Sequence, residues 1–510
     1  MLAVGLLLLA ACQPAVSQVQ NDMPANTPFP TTVETPSATP FVPPAGYVEY
    51  LSRSGDTLEV VATHFGVLPA QVRSDRLIPA QGLLDPGQRL YLPPFNGAAT
   101  PTGNLFPDSE VVFSPSASEF DMAVYVDATN GKLKKHIDDL TQKRGVEVLQ
   151  QFALEYSVNP RLLLTLLEFN GNWLSGNPET HEQSLYSFGY VKTGKGGLYD
   201  QVNWVCQELN NGYYGWRSGT LTELVFPDGS RLRLAPSLNA GTVAIMRYLS
   251  LIRPQNEFSD SLARLAQVHQ HLFGDYQARA AKVEPLLPAG LKQPELSLPF
   301  PTGYTWNYTC GPHASWGREG DLPFGALDFA PPAAATGCGN SVHWATAMAS
   351  GTILTRPVPT PGLVIQDMDE DGDEHTGWVL YYMHMAGSGR VQPGTRVQAG
   401  DRIGHPSCEG GSSSGIHVHV HRTYNGEFIP AVGGLPFVLS GYTAGANERR
   451  CEGGTLSRGD VTVKSYPWGN YWTKICQPGS ERCTMGTPTP RPTLTPTITR
   501  TPRATITATP

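Results

Sequence analysis

The chain has 510 residues, a length that allows about three to five domains and argues against a single compact one. Charged residues make up 16% of the chain, while Gly and Pro contribute 53 and 45 residues, which is typical of loop-rich domains joined by linkers. The net charge of −8 argues against nucleic acid as a partner, and no apolar run reaches the ~18 residues of a transmembrane helix.

The first residues have the features of an export signal. The apolar run 2–11 is too short to span a bilayer but suits the hydrophobic region of a signal peptide. Leu9-Ala10-Ala11-Cys12 resembles a bacterial lipobox, so residues 1–12 are predicted to be a lipoprotein signal, with Cys12 lipidated and anchoring the protein to a membrane. An ordinary signal peptide with an incidental cysteine is the alternative. Residues 13–46, rich in Pro and Thr, predict an extended linker.

The cysteine pattern agrees with export. Apart from Cys12, no cysteine belongs to a C-x-x-C pair, which argues against a zinc ribbon. Outside the cytosol some cysteines should form disulfides. We predict the pairs Cys310–Cys338 and Cys476–Cys483, with at least one thiol left unpaired.

Residues 47–94 form a short unit with a predicted strand at each end and a helix after the turn at 54–57. Gly-Asp-Thr-Leu at 55–58, Ala-x-x-Phe-Gly at 62–66 and Pro-Gly-Gln-x-Leu at 86–90 resemble a LysM module, a βααβ fold. The resemblance implies binding of N-acetylglucosamine-containing glycans such as peptidoglycan; a LysM fold without affinity is the alternative. The glycan-binding residues that it implies are Gly55, Asp56, Thr57, Leu58, Ile78 and Pro79.

A helical domain is predicted for residues 121–292, after a Pro-, Gly- and Ser-rich linker at 95–120. A β-hairpin is predicted near 224–234, with Pro227-Asp228-Gly229 as its turn. The stretch that ends in Glu168 faintly resembles the catalytic helix of lysozyme-like lytic transglycosylases, although Phe169 follows where that family has Ser. Glycan cleavage by Glu168 is one alternative, and a structural or substrate-positioning domain is the expected one.

Histidines are concentrated in the C-terminal half, where eight of the 13 lie between positions 313 and 421. In the run Gly415-Ile-His-Val-His-Val-His421, strand alternation places His417, His419 and His421 on one face. Two histidines at i and i+2 can reach one metal ion, although a cross-strand histidine pair on a solvated face would look the same.

The segment 297–440 joins this motif to others in a fixed order. Asp328 lies in a β-like run, Tyr-x-x-His ends at His384, and Val-x-x-Gly-x-x-Val-x-x-Gly-Asp-x-Ile-Gly spans 391–404. With Gly-x-His-x-His, the succession closely resembles the lysostaphin-type (LytM-like) zinc metallopeptidases. The resemblance implies an antiparallel β domain of the duplicated hybrid motif type that hydrolyses peptide bonds in peptidoglycan.

The same resemblance implies a zinc site. Asp328 and His419 match zinc ligands of the family, while His384 and His417 match its non-ligand histidines, which transfer protons and stabilise the oxyanion. An open coordination position would be left for catalysis.

One ligand position departs from the family, which has a His four residues before the Asp where this chain has Phe324. We predict that His313 supplies the third ligand from a loop pinned by a Cys310 disulfide, with His343 as a rival; a site without a third ligand is the other alternative. His405 and His421 are expected to lie behind the metal ligands or at the surface, without binding the metal.

A second metal site is suggested by Asp367, Asp369, Asp371 and Asp373, whose D-x-D-x-D-G spacing matches the first half of a calcium loop. The glutamate of an EF-hand is missing, since Trp378 stands there, and an acidic hairpin turn is the alternative. Residues 441–483 predict a small Cys-containing appendage, and 484–510 a Thr/Pro-rich disordered tail.

The sequence therefore predicts a multidomain α+β protein, exported and lipid-anchored at the cell envelope or extracellular. Its predicted activity is zinc-dependent hydrolysis of peptide bonds in peptidoglycan, with the LysM module binding the glycan strand. The leading alternative is an inactive wall-binding scaffold or a regulator of other wall hydrolases, because Phe324 replaces a ligand.

Overall fold

A computed structural model of the chain describes residues 41–317, 320–332, 337–449 and 451–479. The predicted signal, Cys12, most of the first linker and the C-terminal tail lie outside the described residues, and their predictions are unchanged. Within the described ranges, no helix combines the length and the apolar character needed to cross a bilayer.

Residues 47–94 form a two-stranded antiparallel sheet with one helix against it. Strand β1 (Val48–Leu51) pairs with β2 (Arg89–Leu92), and helix α1 (Leu58–Phe65) begins at the Thr57 N-cap and ends at Gly66 in the left-handed conformation. The predicted second helix is a single 3-10 turn, Pro69–Gln71, because the chain turns back at once and Arg73 bridges to Tyr91.

The middle of the chain is helical and encloses the largest apolar core. Its helices are α2 (Met122–Asp127), α3 (Gly145–Tyr156), α4 (Pro160–Gly171), α5 (His181–Leu185), α6 (Leu198–Arg217), α7 (Ala240–Ile252), α8 (Gln255–Phe273) and α9 (Tyr276–Ala280). The predicted hairpin is confirmed by β3 (Glu223–Val225) and β4 (Arg231–Arg233).

Part of the predicted linker 95–120 belongs instead to this core, which corrects its assignment as a linker. Phe106, Val111 and Val112 are buried within it. Neighbouring polar groups are satisfied internally, since Ser114 Oγ donates to the Ser109 carbonyl at 2.9 Å. Buried apolar side chains and paired polar groups fix this segment, although its small polar residues read as a linker.

The C-terminal half is built on a nine-stranded antiparallel sheet, in the order β11-β8-β9-β10-β13-β6-β5-β19, with β14 pairing β13. Its strands are β5 (Thr305–Ala314), β6 (Phe324–Ala330), β8 (Gly351–Ile353), β9 (Val364–Asp367), β10 (Trp378–Met383), β11 (Arg396–Val397), β13 (Val418–Tyr424), β14 (Glu427–Phe428) and β19 (Lys474–Cys476). A separate pair joins β7 (Ala345–Thr346) and β12 (Arg402–Gly404).

Strand alternation divides the central strands into two faces. Leu327 and Phe329 of β6 and Val418 and Val420 of β13 enter the apolar core of this half. Asp328 and His419 alternate with them and therefore lie on the opposite face. The sheet thus presents its polar residues on one side while the other side is fully apolar at this point.

The C-terminal segment is part of this fold. A four-stranded sheet contains β15 (Val438–Leu439), β16 (Tyr442–Gly445), β17 (Thr455–Arg458) and β18 (Val461–Lys464). Strand β19 then pairs with β5 and so completes the edge of the large sheet. The predicted appendage is therefore continuous with the large sheet.

The predicted disulfide Cys310–Cys338 is wrong. Cys310 pairs with Cys451, because β5 lies against the segment that follows β16, and Cys338 pairs with Cys408. Cys206 is free and buried. Cys476 is disulfide-bonded, while Cys483 lies outside the described residues, so that pairing stays a prediction.

Candidate metal centre

Three neighbouring strands bring the predicted metal donors together. Asp328 on β6 lies directly opposite His419 on β13 in the antiparallel register. His313 is near the end of β5, where the register with β6 shifts on both sides of it. These irregularities follow Gly311 and Pro312, residues that interrupt regular pairing, and they carry the His313 side chain to the same face as Asp328.

The three donor atoms form a compact triangle. His313 Nε2 lies 3.3 Å from Asp328 Oδ1 and 3.0 Å from His419 Nδ1, and His419 Nδ1 lies 3.3 Å from Asp328 Oδ1. A tetrahedral zinc ion bound at about 2.0–2.1 Å keeps its N and O ligands about 3.3 Å apart. The triangle therefore has the dimensions that a zinc ion requires of three ligands.

The backbone orients both imidazoles toward the centre. His313 Nδ1 lies 2.9 Å from the Gly311 carbonyl, and His419 Nε2 lies 3.2 Å from the Ser315 carbonyl. A carbonyl only accepts, so each of these nitrogens donates, and the other nitrogen of each neutral ring presents a lone pair. Among the described residues, no group donates a hydrogen bond to the buried Asp328 Oδ1. Two lone pairs and a carboxylate oxygen that face one another fit a cation.

His384 and His417 border this triangle. His417 Nε2 lies 3.5 Å from Asp328 Oδ2, and the ring centroids of His384 and His417 are 4.5 Å apart. Each ring is anchored through Nδ1, which lies 2.8 Å from the Gly415 carbonyl in His417 and 3.2 Å from the Glu409 carbonyl in His384. His384 adopts φ +63°, a strained conformation for a residue with a Cβ.

The electrostatics of the cluster favour an ionised Asp328. Burial alone would raise the pKa of Asp328, but the nearby imidazoles of His313, His417 and His419 hold that pKa well below its usual value. Burial opposes protonation of His313, yet the Asp328 carboxylate raises the pKa of His313 above its ordinary value. Burial, followed by the nearby charges of His417 and His419, lowers the pKa of His384 to about 3.

The other histidines lie outside the triangle. His343 lines a shallow cleft with Trp344 and Arg402, and its carbonyl lies 2.9 Å from His405 Nδ1. His421 is buried behind the site, where its Nδ1 lies 3.3 Å from His419 Nε2. Phe324, at the position of the family's other ligand, is 43% exposed.

Sequence reasoning missed the groups that orient the site. They are main-chain carbonyls, of which the Ser315 and Glu409 carbonyls are the clearest, and no residue type marks such an acceptor in a sequence. Cys310 also lies close to His313 and Asp328. Its sulfur is bonded to Cys451 and therefore offers no thiolate to a metal ion.

The acidic turn between β9 and β10 brings together Asp367, Asp369 and Asp371 of the four predicted calcium ligands. Asp367 is buried, and its carboxylate accepts backbone N–H bonds from Asp369, Glu370 and Gly372 at 3.2, 3.1 and 2.9 Å. The Asp373 carboxylate accepts from the His375 backbone N–H at 2.9 Å. These bonds stabilise the turn and match the hairpin-turn alternative.

Three of the residues predicted to bind glycan share one cleft. Gly55, Thr57 and Leu58 line a cleft of about 470 Å³ whose other walls include residues 80–83, α6 and residues 427–435. Asp56 is buried and accepts from the Tyr50 hydroxyl and the Arg53 backbone N–H, both at 2.7 Å. The remaining predicted residues, Ile78 and Pro79, are half-buried.

Glu168 has a local structural contact. Its carboxylate accepts hydrogen bonds from the backbone N–H groups of Leu174 and Ser175 at 2.8 and 3.2 Å, and from the Ser175 hydroxyl. These bonds close the turn after α4. The carboxylate is therefore engaged with its own loop, which suits the structural alternative for this domain.

The chain is similar to known proteases. Residues 104–286 match the family described as LasA, N-terminal domain. Protease LasA of Pseudomonas aeruginosa is 28% identical over 319 residues, which cover 56% of this chain and 68% of that protein. Beta-lytic metalloendopeptidase of Achromobacter lyticus is 27% identical over 188 residues, which cover 34% of this chain and 45% of that protein.

A solved structure described as a novel M23 metalloprotease, pseudoalterin, from the deep sea is also similar. It shares 24% identity over 37% of this chain and 100% of its own, with a TM-score of 0.29. Both curated relatives carry protease names, and the sequence likeness to them supports a lysostaphin-type peptidase domain in this chain.

Proposed function

We propose that this protein is a zinc endopeptidase that hydrolyses peptide bonds of peptidoglycan. The observation that carries the proposal is the triangle of His313 Nε2, Asp328 Oδ1 and His419 Nδ1, with edges of 3.0 to 3.3 Å and both rings anchored from behind. The sequence likeness to a protein named beta-lytic metalloendopeptidase supports the reaction class.

The residues around the triangle divide into two roles. His313, Asp328 and His419 would hold zinc, which when bound supplies Lewis-acid chemistry for amide hydrolysis. His384 and His417 are held through Nδ1, so their Nε2 atoms are the ones left to accept or release a proton. We assign them proton transfer between the attacking water and the departing amine, together with hydrogen bonding to the developing oxyanion.

Substrate access fits these roles. The side chains of His313, His417 and Asp328 are 22%, 15% and 12% exposed, whereas His419 behind them is 9% exposed. An extended peptide can therefore approach the donors from one side. The opposite side is closed by backbone carbonyls and the buried His421, which suits a site with a vacant coordination position.

The proposal also includes binding of the protein to the cell wall. Residues 47–94 would bind glycan strands through the cleft that includes Gly55, Thr57 and Leu58, and would raise the local concentration of substrate. Two disulfides among the described cysteines fit an exported protein. Anchoring through a lipid on Cys12 belongs to the same proposal.

An inactive wall-binding scaffold is the competing function, and it rested on the loss of the ligand at Phe324. The position of His313 favours the enzyme, because it supplies a third donor from the neighbouring strand. Glycan cleavage through Glu168 would yield new reducing or anhydro sugar ends instead of new amino groups.

The test combines metal content with product chemistry. We expect purified protein to hold about one zinc ion per chain and to release new amino groups from peptidoglycan. His419→Ala should lose both properties, while Phe324→Ala, at an exposed side chain, serves as the matched control and should keep the zinc. Wild-type protein without zinc and without new amino groups would establish the scaffold instead.

A further inference from the structure

One short segment, residues 405–409, contacts the backbone of both histidines to which we assign proton transfer. The Ser407 backbone N–H donates to the His384 carbonyl at 2.6 Å. Ser407 also forms an isolated antiparallel bridge with His417, one residue before β13 begins. Since β10 ends at Met383, His384 follows its strand directly. Both histidines therefore lie just outside regular strand pairing, where this segment contacts their backbone.

The Ser407 hydroxyl closes a ring of hydrogen bonds around His384. It donates to the His384 carbonyl at 2.9 Å and accepts from the Glu409 backbone N–H at 3.0 Å. The Glu409 carbonyl in turn lies 3.2 Å from His384 Nδ1, and because a carbonyl only accepts, Nδ1 is the donor. The ring therefore joins the backbone of His384 to the group that orients its imidazole. Ser407 is 2% exposed, so water has little access to these bonds.

His384 needs this support because its backbone is in an unfavourable conformation. Its φ of +63° lies in the left-handed region, which is disfavoured for a residue with a Cβ and persists only where the surrounding contacts fix it. Two donors from Ser407 converge on the His384 carbonyl, and the Met385 N–H that follows donates to the Gly362 carbonyl at 2.9 Å. The peptide group after His384 is therefore held at both its oxygen and its nitrogen.

The Cys338–Cys408 disulfide fixes the segment at its centre. Cys408 stands between the two residues that hold His384. The Ser341 N–H donates to the Pro406 carbonyl at 2.8 Å and so joins the same two stretches of chain a second time. The cross-link and this hydrogen bond therefore anchor the segment on both sides of its serine.

We propose that Ser407 is a positioning residue that orients the His384 imidazole for proton transfer, and that the disulfide next to it keeps it in place. The proposal rests on the proposed function, since it concerns the step assigned to His384. A group that transfers a proton must lie within hydrogen-bond reach of the reacting atom, so a change in its orientation slows the chemical step. The Ser407 hydroxyl bonds to His384 and Glu409, and neither is a proposed metal ligand, so the zinc site should stay intact without it.

Ser407→Ala on the full chain tests the hydroxyl, with kcat and KM taken from initial rates of amino-group release from solubilised peptidoglycan fragments. The variant loses one donor and one acceptor of the ring, so kcat should fall by about tenfold, less than the ~100-fold that a 1 Å displacement can cost. KM and bound zinc should equal those of wild type. Ser250→Ala is the matched control, because the buried Ser250 hydroxyl donates to the Arg247 carbonyl at 2.8 Å in α7; it should change neither constant.

A double variant separates positioning of His384 from a general structural effect. In the His384→Gln background there is no imidazole to orient, so Ser407→Ala should lower kcat no further. Cys338→Ser/Cys408→Ser removes the cross-link and should lower kcat in the same direction as Ser407→Ala, again without loss of zinc. Circular dichroism of each variant shows that the compared samples are folded.

An unchanged kcat in Ser407→Ala would overturn the proposal, as would an undiminished loss in the His384→Gln background or an equal loss in Ser250→Ala. Zinc lost from Ser407→Ala would overturn it too, because Ser407 would then support the metal ligands. Full activity in the cysteine variant would overturn the part assigned to the disulfide. Wild-type protein that binds no zinc and releases no amino groups would refute the proposed function as well, so the two failures are distinguishable.

Discussion

Two clusters in this molecule combine a carboxylate with histidine. They differ in whether their polar atoms all have hydrogen-bond partners. In the helical domain, His269 Nε2 lies 3.1 Å from Glu110 Oε2 and His269 Nδ1 lies 2.7 Å from the Thr165 hydroxyl. Arg279 adds two bonds to Glu110, and the side chains of Glu110 and His269 are fully buried. In the sheet, Asp328 Oδ1 and two imidazole lone pairs face one another in a cluster whose His313 side chain is 22% exposed.

This difference distinguishes a cluster that stabilises the fold from a cluster that can bind a ligand. Around Glu110, every donor meets an acceptor, so nothing remains for a ligand to satisfy. Around Asp328, the outer nitrogens of His313 and His419 are hydrogen-bonded to main-chain carbonyls, and Asp328 Oδ1 receives no hydrogen bond from the described residues. Residue type alone would not distinguish the two sites; the pairing of their atoms does.

The largest effect on stability should come from breaking the cluster of Glu110, His269 and Arg279. Glu110→Ala leaves Arg279 and His269 without their carboxylate, which should lower the free energy of unfolding by about 3–5 kcal/mol. Urea denaturation followed by circular dichroism measures the loss. Zinc content of the folded fraction should equal that of wild type, because the cluster holds the helical core only.

Glu208→Ala provides the comparison for Glu110→Ala. Glu208 and Arg247 form a partly exposed ion pair in the same domain, and its loss should cost no more than about 1 kcal/mol. A zinc loss in Glu110→Ala would show that the two clusters are coupled and would contradict their separate roles.

The cluster around Asp328 can be tested by changing one of the two histidines that border the donor triangle. His384→Gln removes a ring to which we assign proton transfer, so kcat should fall by about 100-fold while bound zinc is retained. Steady-state kinetics on a soluble peptide substrate and metal analysis of the same sample test both statements. Zinc lost together with activity would place His384 among the ligands.

A third buried histidine gives the smallest effect and extends the comparison to pH. His64 stacks on Trp216 with centroids 3.5 Å apart, and burial lowers its pKa from 6.5 to about 3. In the unfolded chain His64 binds a proton near pH 6.5, whereas in the folded protein it stays neutral at that pH. The free energy of unfolding therefore falls as the pH drops below about 6.5. From pH 7.5 to 5 the contribution should be about 2 kcal/mol.

Urea midpoints of wild type and His64→Gln at the two pH values measure this contribution. The variant, whose amide can still donate to the Trp216 carbonyl, should lose less stability on acidification. His181→Gln, at an exposed side chain, is the control and should follow wild type. Equal acid sensitivity in all three proteins would refute the assignment to His64.

Short-range patterns predicted part of this molecule well. The alternation Gly-x-His-x-His predicts His417 and His419 on one face, and both imidazoles lie within 3.5 Å of the Asp328 carboxylate. The turn at Pro227-Asp228-Gly229 predicts the β3–β4 hairpin. The juxtaposition of Asp328 with His419 followed from family resemblance and depends on register between strands about 90 residues apart, which spacing does not encode.

Long-range pairing explains what the sequence could not predict. The position of His313 depends on two register shifts in β5, and the partner of Cys310 depends on a segment 141 residues further along the chain. Residues 106–117 contain several serines and prolines, which are typical of a linker. They nevertheless pack into the helical core, where their serines are hydrogen-bonded internally. Each case is decided by a tertiary contact that no local pattern records.

The pairing of β19 with β5 has a consequence for biogenesis. Lys474 lies opposite Asn307, so the edge of the large sheet waits for a strand made 167 residues later. During synthesis or passage through a membrane, that edge is bare until almost the whole described chain has emerged. A polypeptide that cannot finish its sheet early stays accessible to chaperones, and its large sheet stays incomplete until β19 has been made.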